Sequence, residues 1–259
     1  STLVNIKRDN ISLSDYNELQ RRFIKDGIPT YSDLIIGLPG DNYSKFKESV
    51  DHLFDCGQHY RVQFNNLSIL PNAEMADPEY MEKFKIDVVK IPVASMHGSI
   101  DREYYDDVDE EQELVVSHKD MNCEEWIKIR SFASAVEFYY YNKMLQIPLM
   151  ILCTLCKISL STAIEHILNQ QNYGTIKKLN RIFSIHSKRM LKGDYEFIKS
   201  KKWLNIFWPP GEYAMIKLFE WKKVDLFYEE ALKLLEELMD DKMVLSVLED
   251  AISYNKFLL

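Results

Sequence analysis

The clearest pattern of apolar and polar positions runs from Thr30 to Phe46, TYSDLIIGLPGDNYSKF. Tyr31 to Ile36 reads as a buried strand interrupted by one acid. Gly37-Leu38-Pro39-Gly40 is a tight turn, and a helix capped at Asp41 or Asn42 follows, with Phe46, Val50 and Leu53 on one face as far as Cys56. Upstream, the first eight residues predict a short helix. A second begins at Ser12 or Ser14, carries the stripe Tyr16, Leu19 and Phe23, and stops at Asp26-Gly27. Extended pattern then covers Ile28 to Ile36, and the next strand is Val62 to Leu70, closed by Pro71. Helix, strand, helix and strand in this order predict parallel pairing through right-handed crossovers. Two such strands cannot close a barrel, so the region reads as the last part of a larger α/β domain.

Beyond Pro71 the pattern changes. Pro78-Glu79-Tyr80 starts a short helix, and Val88 to Ala94 can form a strand. The acidic run Asp101 to Glu113 reads as a solvated loop or linker, without the spacing and glycine of a calcium loop. Leu114 to Ser117 can add one short strand. Helices are predicted over Glu124 to Leu145, Leu149 to Gln170, Tyr173 to Leu191, Val224 to Met239 and Lys242 to Phe257, with Trp203 to Pro210 as punctuation. The implied division is 1–95 for the strand-bearing part, 96–121 for an acidic linker that can hold a short strand, and 122–259 for a mostly helical domain.

Composition narrows the function. A formal charge of −8 argues against a general nucleic-acid or anionic-membrane surface, and the basic cluster Lys177 to Arg189 reads as a solvated helix face. Four scattered cysteines do not make a secreted disulfide framework, which predicts a reducing, cytoplasmic setting. The longest apolar run, Ile147 to Cys156, is too short to span a bilayer. The chain opens at Ser1 within a helical pattern, and the expectation is that its beginning is missing.

Leu3-x-x-Ile6-Lys7-Arg8, then Asp33-Leu34-Ile35-Ile36-Gly37-Leu38-Pro39-Gly40-Asp41, then a strand ending Leu70-Pro71, resembles the second half of the radical S-adenosylmethionine (SAM) barrel. The similarity is to the branch with a GLPGET-type turn, including the anaerobic coproporphyrinogen oxidase-like and cobalamin-binding enzymes, and it covers about Ser1 to Glu74. The fold it implies is α/β: the last β/α units of a partial TIM-like barrel, then a mostly helical carboxyl-terminal domain. The activity it implies is reductive cleavage of SAM, with radical hydrogen abstraction or cobalamin-assisted methyl transfer on a small-molecule substrate. By the resemblance, Arg8 meets the SAM carboxylate, Asp33 accepts from the ribose hydroxyls, and Ile35 lies against the adenine. Gly37 and Pro39 shape the turn, and the strand around Asn65 and Leu67 presents backbone to the adenine edge. Asp41 and Asn42 stand where the family usually has Glu and often Thr, and neither is assigned a ligand role.

One family feature is missing. The CxxxCxxC loop that holds a 4Fe-4S cluster does not occur in this sequence, and Cys153 and Cys156 read as core cysteines of an apolar helix. The resemblance therefore implies that cluster, cobalamin domain and the amino-terminal remainder lie outside this chain, which alone would be inactive. His97 could line a site near the barrel mouth, while His118, His166 and His186 form no convincing ligand pair. Two other readings stand beside this one: a non-catalytic helical interaction module, and an unrelated α/β enzyme using the Gly37 to Asp41 turn as an anion cradle.

Overall fold

The structure, a computed structural model, describes residues 2–101, 109–239 and 242–259. Its elements are α/β in class. A short helix α1 (Thr2–Asn5) and α2 (Leu13–Lys25) precede β1 (Tyr31–Ile36), α3 (Tyr43–Asp55) and β2 (Arg61–Asn66). Ser12 caps α2 by accepting from Asp15 N–H, and Asn42 caps α3 by accepting from Lys45 N–H. β1 and β2 pair in parallel, Tyr31 opposite Arg61 through Ile36 opposite Asn66, as the alternation of helix and strand predicts.

The strand predicted from Val62 to Leu70 is two strands. β2 ends at Asn66, and β3 (Ser68–Ile69) belongs to a different sheet. Leu67 is the seam: its N–H donates to Ile36 O at 2.8 Å and its C=O accepts from Val115 N–H at 2.9 Å. Once β1 has run out the chain must find a new hydrogen-bonding partner, and apolar alternation continuing through Leu67 and Ile69 hides the exchange. The second sheet is antiparallel in the order β3, β5 (Glu111–Ser117), β4 (Asp87–Pro92), with α4 (Pro78–Phe84) beside it. The acidic run thus ends inside the ladder, where Glu113 faces Lys90 across β5 and β4. Residues 102–108 of that run lie outside the described residues.

The remaining elements are mostly helical: α5 (Cys123–Val136) widening into a π-turn (Glu137–Tyr141), α6 (Gln146–Cys156), α7 (Leu160–Asn169) and α8 (Gly174–Met190). A small antiparallel pair, β6 (Ile198–Ser200) and β7 (Ile206–Trp208), leads to α9 (Pro210–Glu220), α10 (Val224–Glu236) and α11 (Lys242–Phe257). The single helix predicted over Leu149 to Gln170 is two, because Lys157 turns left-handed at φ 57° and Ser159 caps a new start by accepting from Thr162 N–H. Among the described residues no single helix is long and apolar enough to cross a membrane. Together α6 and α7 reach that length across a 119° bend, but Leu149, Leu152, Leu160, Ile164 and Ile167 are buried in the protein's own core.

One apolar core joins both regions. Ile36, Phe46, Val50, Val62 and Phe64 pack in the same cluster as Trp126, Phe132, Phe138, Tyr139 and Phe227. The helix ends inside this core depend on distant side chains. Tyr173 offers α8 no side-chain cap, and Glu230 of α10 takes its place, accepting from Thr175 N–H at 2.9 Å and Ile176 N–H at 2.9 Å. A nearly buried carboxylate on two helix-start N–H groups is a strong arrangement, and losing it strands those donors. Glu230→Ala is expected to lower stability by about 2–4 kcal/mol in urea unfolding, with Glu230→Gln recovering part of the loss.

Candidate functional site

Alternation along β1 and β2 sorts their side chains onto two faces. Ser32, Leu34, Ile36, Val62 and Phe64 form one face, where Ile36, Val62 and Phe64 are buried. The other carries Tyr31, Asp33, Ile35, Arg61, Gln63 and Asn65. On that second face the polar groups join: Asn65 Nδ2 donates to Asp33 Oδ1 at 3.3 Å, and Gln63 Nε2 donates to Asn65 Oδ1 at 3.0 Å. Asp33 is exposed, so its carboxylate keeps acceptor capacity for a ligand. Ile35, one step along the same face, is partly buried.

The turn after β1 is held by its own chain. Gly37, at φ 101°, lies against Val115 O, and a Cβ there would come within 3.2 Å of that oxygen. Gly40, at φ 95°, leaves room for Asn5, whose Nδ2 donates to Pro39 O at 2.9 Å. Three N–H groups at the opening of α3 are already taken: Asn42 by Asp41, Tyr43 by Glu125 and Lys45 by Asn42. An anion would meet two carboxylates there, which weighs against the anion-cradle reading. Burial pushes the Asp41 carboxyl up from its ordinary value, against the pull of the Asn42 N–H. Arg8 follows α1, exposed, and among the described residues its side chain has no hydrogen-bond or ion-pair partner; Leu67 sits at the seam with both backbone groups bonded.

Beyond the outer edge of β2 lies a cavity of about 530 Å³. β2 supplies Arg61, Gln63 and Asn65; α5 and the π-turn supply Arg130, Glu137 and Tyr141; Met96, His97 and Glu212 complete one wall. His97, singled out in the sequence, does line this cavity, its Nε2 2.6 Å from Glu212 Oε2. Sequence reasoning missed Glu137 and Arg130. Both sit inside a long apolar helix, and a charged residue amid FASAVEFYYY was the available signal. Burial drives the Glu137 carboxyl up to about 7, opposed by Arg130 and Arg61 and assisted by Glu212. His186, buried behind, is driven down to about 3 by burial and by Arg130.

Cys153 and Cys156 lie close together on α6, whereas Cys56 ends α3 and Cys123 opens α5. Cys153 is buried with its thiol pushed up to about 12, by burial first and then by Asp51 and Asp55. Among the described residues no three His, Cys, Asp or Glu side chains are grouped to hold a metal.

Comparison of sequences finds similarity to cobalamin-dependent radical SAM methyltransferases over about half of this chain. The chain is 33% identical over 146 residues to the cobalamin-dependent radical SAM methyltransferase TokK of Streptomyces tokunonensis, covering 55% of this chain and 21% of that enzyme. It is 31% identical over 136 residues to the 2-(S-pantetheinyl)-carbapenam-3-carboxylate methyltransferase of Streptantibioticus cattleyicolor, covering 52% and 19%. The match thus spans about a fifth of the length of these relatives, both of them enzymes. No family model matches the chain.

The titrations in and behind the cavity have opposite signs. Glu137 holds its proton more tightly folded than unfolded, so its contribution to stability falls as pH rises from 4.5 to about 7. His186, held neutral, contributes stability that grows as pH rises from about 3 to 6.5. Glu137→Gln removes the first slope, so the variant's Tm should rise more steeply than wild type's through the Glu137 window. Parallel Tm curves would show that Glu137 titrates normally.

Proposed function

We propose that this chain is the carboxyl-terminal portion of a radical SAM enzyme of the cobalamin-binding family, and that the whole enzyme transfers a methyl group to a small-molecule substrate. The observation that carries this reading is the 33% identity, over more than half of the chain, to a cobalamin-dependent radical SAM methyltransferase. Both relatives are methyltransferases, which favours methyl transfer over hydrogen abstraction alone. In this reading β1, α3 and β2 are the last units of a partial TIM-like barrel within residues 1–95. Residues 96–121 are the connection, and 122–259 are the carboxyl-terminal domain.

The residues on the polar face of β1 and β2 fit the adenosyl part of SAM. Asp33 has an exposed carboxylate with one long bond to Asn65, a donor-seeking group suited to ribose hydroxyls. Ile35 offers an apolar surface beside it, Gly37 and Pro39 fix the end of the strand, and Asn65 and Leu67 set its neighbour. Arg8 is a free guanidinium for the SAM carboxylate. Bound SAM supplies the transferable methyl group and the precursor of the 5′-deoxyadenosyl radical. The chain's own residues orient it and hold its polar edges.

Four cysteines, only two of them close together and one of these buried as a neutral thiol, do not fit a 4Fe-4S cluster, and no residue set here is assigned to cobalamin. We therefore assign the cluster and cobalamin to the amino-terminal remainder, and expect this chain alone to be inactive. Exposed Leu3, Ile11, Leu13, Leu19, Ile24 and Tyr31, on and around α1, α2 and β1, offer that remainder an apolar surface.

The test is to express the parent reading frame anaerobically, quantify iron, sulfide and cobalamin, and measure SAM binding by equilibrium dialysis. Asp33→Ala is expected to weaken SAM binding by about tenfold or more, the worth of charge-assisted bonds to two hydroxyls. Absence of cluster and cobalamin, or SAM binding unchanged by Asp33→Ala, would refute the assignment.

A further inference from the structure

The cavity beside β2 carries more specific chemistry than a gap between elements needs. Two of its three acids are engaged: Glu212 with His97 at 2.6 Å, and Glu196 with Asn66 Nδ2 at 2.6 Å and Gln112 Nε2 at 3.5 Å. Three polar groups are not. Arg130 is 3% exposed and its Nε has no hydrogen-bond partner, Asn142 Nδ2 is buried without one, and among the described residues the Glu137 carboxyl accepts no hydrogen bond. A buried donor left unpaired is costly, and more so on a charged group, so a ligand that satisfies these groups recovers what folding leaves unspent.

The backbone places these groups on purpose-like terms. Asn142 N–H donates to Glu137 O at 2.7 Å, the wide five-residue closure of the π-turn, a distortion frequently found at functional sites. That closure brings both side chains to Gly211 at the start of α9. A Cβ on Gly211 would stand 2.9 Å from Asn142 Nδ2 and 3.4 Å from Glu137 Cδ, so the glycine supplies space. Arg61 of β2 and Lys143 add two further cations to the lining.

We infer that this cavity binds a small molecule carrying a carboxylate next to an amide N–H, of the N-acylamino-acid class. Its carboxylate lies on Arg130 and Asn142 with Arg61 near, and its N–H donates to Glu137. Guanidinium and amide donors suit a carboxylate, the Glu137 carboxyl is an acceptor with no donor among the described residues, and the volume suits a small ligand. The assignment goes beyond the cofactor reading and does not depend on it, since of the residues assigned to the cofactor only Asn65 lines this cavity.

The experiment titrates the 259-residue chain with N-acetylglycine, using calorimetry and backbone amide NMR shifts. Two analogues serve as controls: N-acetylglycinamide lacks the carboxylate and N-acetylsarcosine lacks the N–H. N-acetylglycine is expected to bind in the millimolar range, ~1–10 mM, with shifts at the π-turn and the start of α9. Both analogues should bind at least about fivefold more weakly. Gly211→Ala, which places a methyl in the site, and Arg61→Ala, at an exposed position, should weaken binding while the melting transition stays cooperative. Arg130→Gln should abolish it. Asp33→Ala should leave it unchanged, so failure of the cofactor reading and failure of this one are separable. No binding by the folded wild type, or equal binding of all three probes, or shifts confined to other surfaces, would overturn the proposal.

Discussion

A parallel pair of strands cannot bury itself. β1 and β2 expose one apolar face, α3 covers part of it, and the remainder needs another layer. The helical region provides that layer through aromatic contacts. The Phe132 ring meets Tyr43 at 5.7 Å and Phe46 at 6.4 Å, both edge-on, and Tyr141 meets Phe64 at 6.4 Å. Phe46 and Phe132 are almost wholly buried, each worth roughly 1.5–3 kcal/mol of transfer free energy. Polar bonds reinforce the join: Tyr43 O–H donates to Glu165 on α7, and Ser161 O–H and N–H donate to Asp51 on α3. The β1–α3–β2 unit depends on this shared core, while Ile69, Phe84, Ile86 and Val115 form a second cluster under the antiparallel sheet.

The same join decides where polar chemistry can be. With one face of the β1–β2 pair committed to the core, the other face and the outer edge of β2 are left for water or ligand. Asp33, Gln63 and Asn65 occupy that face, and Arg61 begins the row. The helix covering the edge carries Arg130 and Glu137 toward it. An acid and a guanidinium within an otherwise apolar layer, with no hydrogen bond between them, cost stability, a cost that packing alone does not explain.

Much of the architecture is legible in single residues. Ser12 and Asn42 announce helix starts, Asp26-Gly27 a helix end, and the GLPG turn the exit from β1. What escapes the sequence is decided by tertiary partners. Lys157 adopts a left-handed conformation without being glycine, so the break between α6 and α7 has no strong local mark. Pro209-Pro210 reads as a helix breaker, yet Pro210 opens α9, where its missing N–H costs nothing. Leu67 changes sheets with no change in pattern. For the site, Asp33 is visible as an acid in an apolar strand, whereas Glu137 becomes informative only when the π-turn, Gly211 and Arg61 meet it.

The turn itself then has a narrower part than its glycines suggest. A phosphate cradle needs open space over the glycines and free N–H groups at the helix start, and here that space and three of those donors are taken. Val115 O and Asn5 Nδ2 fill the space beside Gly37 and Gly40, while Asp41, Asn42 and Glu125 take the α3 donors. The positive φ at both glycines serves close packing of α1 and β5 against the end of β1. What this end of the sheet has left to offer a ligand is therefore side chains projecting from the strands. Of these, Asp33 keeps an exposed carboxylate with one bond from Asn65, and Ile35 beside it is partly buried, which is why the proposed cofactor contacts rest on the strands and not on the turn.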